Sequence, residues 1–472
     1  MGTYFGIHNH TMYSNIRLLD SINRPKALID KAIELGLSGI AITDHECLSA
    51  HMEVNQYAKE LKEKNPDFTI ALGNEIYLTD TRDSGQKYYH FLLIAKDAIG
   101  HKALRELSSI AWYNSYEDRR MERVPTLKSE LQSVMSKYKG HVIATTACIG
   151  GELGSCIVPM WEADLVNDVT SRSVYYEQIC KFLNFCIDVF EDDFYLECAP
   201  STNEDQMSVN NYIYKIAKAF DLKMVVGTDA HYLTKEDRPI HKAYLNSKGG
   251  DREVDAFYEF AHLMDENEVK ELLTPCFKNE DNPEKIVSWI LNNTLEIQNK
   301  ISFYSLERKQ IIPKVKVNDY PNNTLPWLIN NENYPTLEYL MNSNNPQEKY
   351  WFNECVNGMK NKDFIHKTNY WERLETEADI IKYIGEKLDD CLFAYFNTFK
   401  HYIDLFWDCG SIVGPGRGSA TGFLSNYLLG ITQLDPIRWD LQYWRFLNKE
   451  RAELPSLLLI LGSCKKRTLT VA

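Results

Sequence analysis

Short apolar runs alternate with longer amphipathic stretches over the first half of the chain. Seven of these runs have the length and composition of β-strands, and in order they are YFGIHNH, GIAITDH, FTIALGNEIYL, YYHFLLIAKD, HVIATTACIGG, DFYLECAP and MVVGTDAH. Between the first two, Leu28, Ile29, Ala32 and Ile33 recur at helical spacing after Pro25, a residue that suits the first turn of a helix. Strand, helix and strand repeated in this way predict an α/β fold with parallel strands, as a layer or a barrel.

The hydrophobic pattern changes after residue 235. Residues 236–318 follow a mostly helical pattern, and residues 319–346 are rich in Asn and Pro, which predicts a loop or linker. Residues 347–472 hold further helical patterns around the stretch SIVGPGRGSATGFLSNYLLGIT. We therefore expect four segments: an α/β domain over 1–235, a helical connecting region over 236–318, a linker over 319–346 and a last domain over 347–472.

Composition narrows the class of protein. With 472 residues the chain is long enough for two or three domains, and no apolar run reaches the ~18 residues of a membrane span. The 11 cysteines are scattered without CxxC pairs, which favours a reducing, cytoplasmic location. The net charge of −14 argues against a protein that coats nucleic acid by bulk electrostatics. It leaves open a site at which metal ions contact phosphate.

Nine side chains of metal-ligand type stand near the predicted strand ends. His8 and His10 form an HxH pair, and residues i and i+2 of a strand share a face, so both imidazoles can reach one cation. The other seven candidates are Asp20, His45, Glu75, His90, Cys148, Asp229 and His231. In a parallel barrel the C-terminal strand ends meet at one mouth. We therefore expect the nine side chains to converge there.

The ligand types indicate the metal and its chemistry. Imidazoles, carboxylates and one thiolate suit Zn, Mn or Fe ions better than Mg²⁺ alone, although Mg²⁺ is a further candidate. Nine ligands exceed what one ion takes, which implies two or three clustered divalent ions. Such a cluster clamps a phosphoryl group and activates bound water. We expect a metal-bridging hydroxide as the nucleophile, held by His8, His10, Glu75 and Asp229.

Each of these residues taken alone also has a structural explanation. An isolated HxH pair is more often two histidines on a surface strand, and a lone Cys148 is more often a small buried apolar residue. The position of the whole set at strand ends favours the metal site.

The pattern HxH, Asp, TDH, GxE, His, Cys and DxH resembles that of the polymerase and histidinol phosphatase (PHP) domain. In that family the nine positions bind a trinuclear metal site in a distorted (β/α)7 barrel. The resemblance implies this fold for residues 1–235. It implies the same ligand set as above, with every one of the nine present.

A second motif, VGPGRGSATG, has the composition of a phosphate- or nucleotide-binding loop. Glycine-rich main chain can bind phosphate oxygens through N–H groups, and an arginine adds a bidentate charge. The candidate residues are Gly416, Arg417, Gly418 and Ser419. The motif is neither a Walker A loop nor a dinucleotide fingerprint, and taken alone its default interpretation is a glycine-rich turn between helices.

The wider stretch from DLFWDCGSIVGPGRGS to RFLNKERAELP resembles the palm of bacterial C-family replicases, the DNA polymerase III alpha subunits. The resemblance implies a PHP barrel followed by a partial α+β palm of the polymerase-beta nucleotidyltransferase type. The family pattern continues as Pro-Asp-x-Asp-x-Asp, and its first two aspartates hold catalytic Mg²⁺. Here the aspartate positions hold Ser456, Leu458 and Ile460. The resemblance therefore predicts a truncated family member whose palm has lost its metal ligands.

Three functions follow from these observations. The leading hypothesis is metal-dependent phosphoesterase action of the PHP type, as a 3′–5′ exonuclease on DNA, with templated polymerisation absent. A small-molecule phosphatase of the histidinol phosphate type and a non-catalytic, metal-stabilised binding fragment are the alternatives. The expected partners are DNA 3′ ends, dNTP and other replisome subunits, without a membrane.

Overall fold

The structure is a computed structural model, and it describes residues 2–16, 19–83, 85–118, 121–247, 258–309, 311–317 and 324–451. The chain forms two compact units, Met1–Glu307 and Arg308–Ala472. Among the described helices, none combines the length and the apolar character needed to cross a bilayer.

The first unit is built on a barrel-like sheet. Its strands are β1 (Phe5–Gly6), β2 (Gly39–Ile42), β3 (Thr69–Thr79), β4 (Tyr89–Ala95), β5 (Tyr116–Asp118), β6 (Met121–Arg123), β7 (Thr126–Leu127), β8 (Val142–Thr145), β9 (Phe194–Cys198) and β10 (Lys223–Val226). The sheet runs in the order β1-β2-β3-β4-β8-β9-β10, β7 pairs with β3, and β5 and β6 form a separate hairpin. The path of seven strands agrees with the expected barrel.

Helices surround this sheet. They are α1 (Pro25–Glu34), α2 (His51–Lys64), α3 (Ala98–Tyr113), α4 (Lys128–Lys137), α5 (Glu152–Leu165), α6 (Val169–Phe190), α7 (Glu204–Phe220), α8 (Arg238–Asn246), α9 (Glu266–Leu273) and α10 (Pro283–Asn299). Alternate strand residues divide between two cores, as the two-residue period of a strand requires. Ile40, Leu196 and Met224 pack outward against the helices, whereas Ala41 and Tyr195 point into the barrel.

Two details of the sheet place the site. The main chain closes the barrel beyond β1 and β10, because His10 N–H donates to Ala230 O at 3.0 Å and Ala230 N–H donates to His8 O at 3.3 Å. The sequence pattern predicts parallel strands, but β4 runs antiparallel to both β3 and β8. The short connection from β3 to β4 explains this, because neighbours joined without a crossover helix pair antiparallel.

The first unit extends beyond residue 235, where the sequence pattern places the end of the α/β domain. Helix α10 packs on the barrel: Asn293 Nδ2 donates to Met224 O at 2.7 Å, and Thr294 Oγ1 accepts from Phe5 N–H at 3.0 Å. Its buried face, including Ile290, belongs to the same core as the sheet. The segment therefore completes the barrel unit and does not connect two domains.

The described residues of the second unit form helices and 3₁₀ turns. The helices are α11 (Pro335–Asn342), α12 (Pro346–Asn361), α13 (Thr368–Leu388), α14 (Phe393–Asp408) and α15 (Leu424–Leu428). Strands of the expected α+β palm are not among the described residues. The positions Ser456, Leu458 and Ile460 lie outside the described residues.

Part of the predicted linker is instead a helix of this second core. Leu337 and Leu340 of α11 are fully buried, and the Glu375 carboxylate accepts from the N–H groups of Thr336 and Leu337 at 2.8 and 2.9 Å. The Asn and Pro content conceals a short apolar face that starts after Pro335, a residue suited to the first helical turn.

A buried charge pair fixes the segment that follows the glycine-rich loop. Glu377 is fully buried, and it accepts from the N–H groups of Leu424 and Ser425 at 2.7 and 2.8 Å and from Arg373 Nε at 2.9 Å. Arg373 also donates to Gly422 O at 2.6 Å. The start of α15 and Gly422 just before it are therefore tied to α13.

Candidate metal centre

All nine predicted ligands meet at one end of the barrel. Close contacts of 3.5 Å or less link every member of the set to another member. Seven of the nine follow the C-terminal end of a strand or lie in the loop after it. His90 is near the start of β4, and it reaches the same rim because β4 is antiparallel to β3 and β8.

Glu75 is the centre of the cluster. Its Oε1 lies 3.0 Å from His90 Nδ1 and 3.4 Å from His8 Nε2, and its Oε2 lies 2.7 Å from His45 Nδ1 and 3.3 Å from His10 Nε2. Glu75 is fully buried. Neither carboxylate oxygen forms a hydrogen bond with any described residue. A buried carboxylate surrounded by imidazoles and left without hydrogen bonds fits a metal ligand, because an ion would supply the missing partner.

Asp229 and Asp20 form two further carboxylate positions. Asp229 Oδ1 lies 3.1 Å from His10 Nε2 and 3.3 Å from His8 Nε2 and also forms no hydrogen bond with the described residues. Asp20 Oδ2 lies 2.7 Å from His45 Nε2 and 3.1 Å from His231 Nε2. The carboxylates thus alternate with imidazoles around the site.

The donor atoms fall into three overlapping groups, each within 4.8 Å. The groups are His10, His45 and His231; His8, His10 and Glu75; and His45, Glu75 and His90. Cys148 Sγ lies 3.5 Å from His90 Nδ1, beside the third group. Together these groups offer more donor atoms than one divalent ion takes, so the residues would suit more than one ion.

Burial and charge oppose each other at the histidines. Burial favours the neutral imidazole, but the carboxylates of Asp229, Glu197 and Glu75 outweigh it and raise the pKa of His8 well above its usual value. His45 and His231 behave alike, since Glu75, Asp20 and Asp229 raise their pKa values against the effect of burial. Burial raises the pKa of the Cys148 thiol.

The carboxyl groups shift in the opposite direction. Burial alone would raise the pKa values of Asp20 and Glu75, but the neighbouring histidines hold both well below their usual range. In the absence of cations these histidines are therefore the counter-charges of the buried carboxylates.

The main chain around the site is tightly packed. Gly73 allows the main chains of β3 and β4 to approach closely, because a Cβ there would lie 2.6 Å from Leu93 O. Asp229 and Ala147 have φ angles of 47° and 55°, a left-handed conformation that is uncommon outside glycine and concentrates at functional sites.

Sequence reasoning missed the residues that hold the histidines. Glu197 Oε1 lies 2.6 Å from His8 Nδ1, and Ser14 Oγ lies 3.0 Å from His10 Nδ1. Tyr258 donates to Asp20 Oδ1 at 2.6 Å. Glu197 had a signal in the sequence: it is the acid of the otherwise apolar strand FYLEC, two positions after the inward-pointing Tyr195. No sequence pattern pointed to Ser14 or Tyr258, because the paths of loops bring these two residues to the candidate metal centre.

A cavity of about 200 Å³ opens beside the cluster. Cys148 and Asp229 form part of its wall, and Ile149, Pro200 and Phe260 contribute apolar surface. The cavity therefore offers an apolar surface next to candidate metal ligands.

The candidate phosphate loop lies in the second unit. Arg417 and Ser419 are exposed, and Gly416 and Gly418 have φ angles of 129° and 69°, which other residues rarely adopt. A later residue of the chain contacts the main chain just before the loop, since Gln433 N–H donates to Pro415 O at 2.8 Å.

Comparisons with known proteins agree with the two sequence motifs. The PHP domain model matches residues 6–201, and the model named bacterial DNA polymerase III alpha NTPase domain matches residues 347–458. The protein named Probable DNA polymerase YorL from Bacillus subtilis (strain 168) is 38% identical, and the match covers 96% of this chain and 36% of that protein. The DNA polymerase III subunit alpha of Aquifex aeolicus (strain VF5) is 30% identical over 96% of this chain and 35% of its own length. The chain thus spans about a third of each relative, and the predicted resemblance is confirmed.

Proposed function

Because the chain carries a PHP domain followed by a DNA polymerase III alpha NTPase domain, we propose that its first unit is a metal-dependent phosphoesterase that removes nucleotides from the 3′ end of DNA. The observation that carries this proposal is the convergence of nine ligand-type side chains around Glu75, whose buried oxygens form no hydrogen bonds with described residues. Two or three divalent ions bound there would offset the charge of a phosphodiester and supply a nucleophile near neutral pH.

The chain's own residues have separate tasks in this proposal. Glu75, Asp229 and Asp20 supply the negative charge that attracts the ions, and the five histidines and Cys148 complete the ligand set. The apolar wall formed by Ile149, Pro200 and Phe260 supports a terminal nucleotide as the substrate, because a base or sugar can pack there while its phosphate lies toward the ions that Asp229 would help to hold.

A nuclease assay tests the proposal. A 5′-labelled single strand incubated with the protein and Mn²⁺ should shorten in single-nucleotide steps, which is the signature of attack from the 3′ end. The double variant His8→Ala/His10→Ala should lose this activity. His141→Ala is the matched control, because His141 belongs to the same unit but precedes β8, at the opposite end of that strand from Cys148. Undiminished shortening by the double variant, or none by the wild type with Mn²⁺, Zn²⁺ or Fe²⁺, would refute the proposal.

The same assay separates the alternatives. Faster turnover of a small phosphate monoester than of DNA would identify a small-molecule phosphatase. Metal uptake without hydrolysis of either substrate would identify a metal-stabilised binding protein.

We also propose that the chain does not extend primers. Ser456, Leu458 and Ile460 offer no carboxylate where the family holds its catalytic ions. Primer extension with dNTP and Mg²⁺ should therefore fail, and it should be measured in the His8→Ala/His10→Ala background so that degradation does not hide synthesis. Templated incorporation would contradict this.

The loop Gly416–Ser419 is proposed to bind the phosphates of DNA or dNTP through Arg417. Arg417→Ala should weaken DNA binding, whereas Arg445→Ala, an exposed arginine of the same unit, is the control for general electrostatics. Equal loss in the two variants would contradict a specific loop contact.

A further inference from the structure

Glu197 is a buried carboxylate that the candidate ligand set does not include. It lies near the end of β9 and is 2% exposed. Its Oε1 lies 2.6 Å from His8 Nδ1, and its Oε2 accepts from Thr145 Oγ1. Both oxygens are therefore engaged, one by an imidazole and one by a hydroxyl.

The opposite nitrogen of His8 faces the candidate metal site. His8 Nε2 lies 3.1 Å from His10 Nε2, 3.3 Å from Asp229 Oδ1 and 3.4 Å from Glu75 Oε1. A carboxylate accepts and cannot donate, so the contact with Glu197 requires a proton on Nδ1. The neutral imidazole then has its lone pair on Nε2, directed at the site.

We propose that Glu197 is a positioning residue that holds His8 in the Nδ1–H tautomer, so that Nε2 is available to a cation. This inference rests on the proposed metal centre. Carboxylates that bind the outer nitrogen of a ligating histidine fix its ring and raise its basicity.

His10 and His231 also have a hydrogen-bond acceptor at Nδ1, and in each the nearest one is uncharged. Ser14 Oγ donates its proton to Asp44 Oδ1 at 2.7 Å, so it accepts from His10 Nδ1 at 3.0 Å. His231 Nδ1 lies 2.6 Å from the main-chain oxygen of Asp229. All three imidazoles therefore carry a proton on Nδ1. The nearest acceptor for that proton is a carboxylate at His8, a hydroxyl at His10 and a main-chain oxygen at His231, where the Asp229 carboxylate lies farther away, at 3.5 Å.

The main chain of the neighbouring strand packs directly against the carboxylate of Glu197. A Cβ at Gly227 would lie 2.0 Å from Glu197 Oε1, and β10 pairs directly with β9 at this point, Val225 opposite Glu197. Thr145, which holds the second oxygen, is itself fully buried. The geometry is thus determined by the barrel and not by a mobile loop.

The test compares three substitutions in the full chain. Glu197→Leu removes the acceptor with an apolar residue that suits a buried strand, and we expect Zn²⁺ affinity, measured by competition with a chelating dye, to fall 10- to 100-fold. Glu197→Gln keeps a carbonyl acceptor and should retain most of the affinity. Asp193→Asn is the matched control, because Asp193 is a buried carboxylate at the other end of the same strand, paired with Lys96 and Lys300.

A spectroscopic readout separates positioning from folding. In ¹⁵N-histidine-labelled, Zn²⁺-loaded wild-type protein, His8 should carry its proton on Nδ1 and the metal on Nε2, with its signals assigned by their loss in His8→Ala. If Glu197→Leu does not fold, this wild-type measurement still decides, because a metallated Nδ1 overturns the inference. Wild-type affinity in a folded Glu197→Leu variant also overturns it, while leaving the proposed function intact. A wild-type protein that binds no metal overturns both.

Discussion

Metal binding should release several protons, because four of the candidate ligands, three histidines and one cysteine, have raised pKa values in the metal-free protein. The carboxylates around His8, His45 and His231 raise the pKa values of these imidazoles in spite of burial, which favours the charged imidazole in the metal-free protein. Burial raises the pKa of the Cys148 thiol, which is therefore neutral. A cation needs the lone pairs that these protons occupy, and binding displaces them.

The magnitude follows from the number of groups. Three imidazolium protons and one thiol proton give up to four protons per fully loaded site. Each released proton changes the binding free energy by about 1.4 kcal/mol per pH unit. Summed over the bound ions, binding should strengthen by up to about 5 kcal/mol for each unit of rising pH near neutrality, because the displaced protons become easier to lose.

Isothermal titration calorimetry measures this directly. Zn²⁺ is titrated into metal-free protein at pH 7 in buffers of different ionisation enthalpy, and the slope of the observed heat against that enthalpy gives the number of protons released. Cys148→Ser should lower the number by up to one. A wild-type value near zero would refute the reasoning, since it would mean that the buried carboxylates do not hold the histidines in their charged form.

The same shifts set the pH dependence of the metal-free fold. A raised histidine pKa stabilises the native state most fully below the unfolded value of 6.5, and this contribution is lost as the pH rises through the folded pKa. Metal-free protein should therefore lose stability in urea on the alkaline side, and Zn²⁺ should reverse the loss. Unchanged metal-free stability from pH 6 to pH 9 would contradict this.

Three further predictions concern the packing that supports the two units. Glu377→Ala should destabilise the second unit by about 2–4 kcal/mol in urea unfolding, because it removes the acceptor of two buried main-chain N–H groups and of Arg373 Nε, whereas Glu372→Ala should cost under about 0.5 kcal/mol. Gly73→Ala should cost about 1–3 kcal/mol and reduce metal uptake, because the added Cβ meets main-chain oxygen at 2.6 Å. Burial lowers the pKa of His51 to about 3, so stability should fall by up to about 1.4 kcal/mol per unit as the pH drops below 6.5, and His51→Gln should flatten this slope.

The convergence of the candidate ligands was predictable because it depends on sequence-local rules. The period of two along a strand places Glu75 on the inward face, four positions after Ala71, and it joins His8 and His10 once the strand ends share a rim. His90 was predicted as a candidate ligand, but the sequence pattern did not show why its side chain lies near the others. Only the antiparallel direction of β4, which follows from pairing and not from composition, brings the head of that strand to the same rim.

What could not be predicted depends on distant or weakly patterned contacts. Ser14 contacts His10, and Asp44 accepts from Ser14, through a loop whose path no local pattern determines. Helix α11 was hidden by its Asn and Pro content, and its burial is decided by partners such as Glu375, 38 and 39 positions away. Tertiary packing overrides local composition in both cases.

The main-chain contact that closes the barrel also brings the two ends of the candidate metal centre together, so the centre is complete only when the barrel has closed. Asp20 and His231 are 211 positions apart, and the main-chain contact that brings their neighbourhoods together joins Asn9 to Ala230. Contacts of such sequence separation carry a large loop-closure entropy and tend to form late. A chain emerging from the ribosome would therefore have most of its strands before it had a complete metal site. Ions that bind the completed cluster would then stabilise the product of the last step of folding.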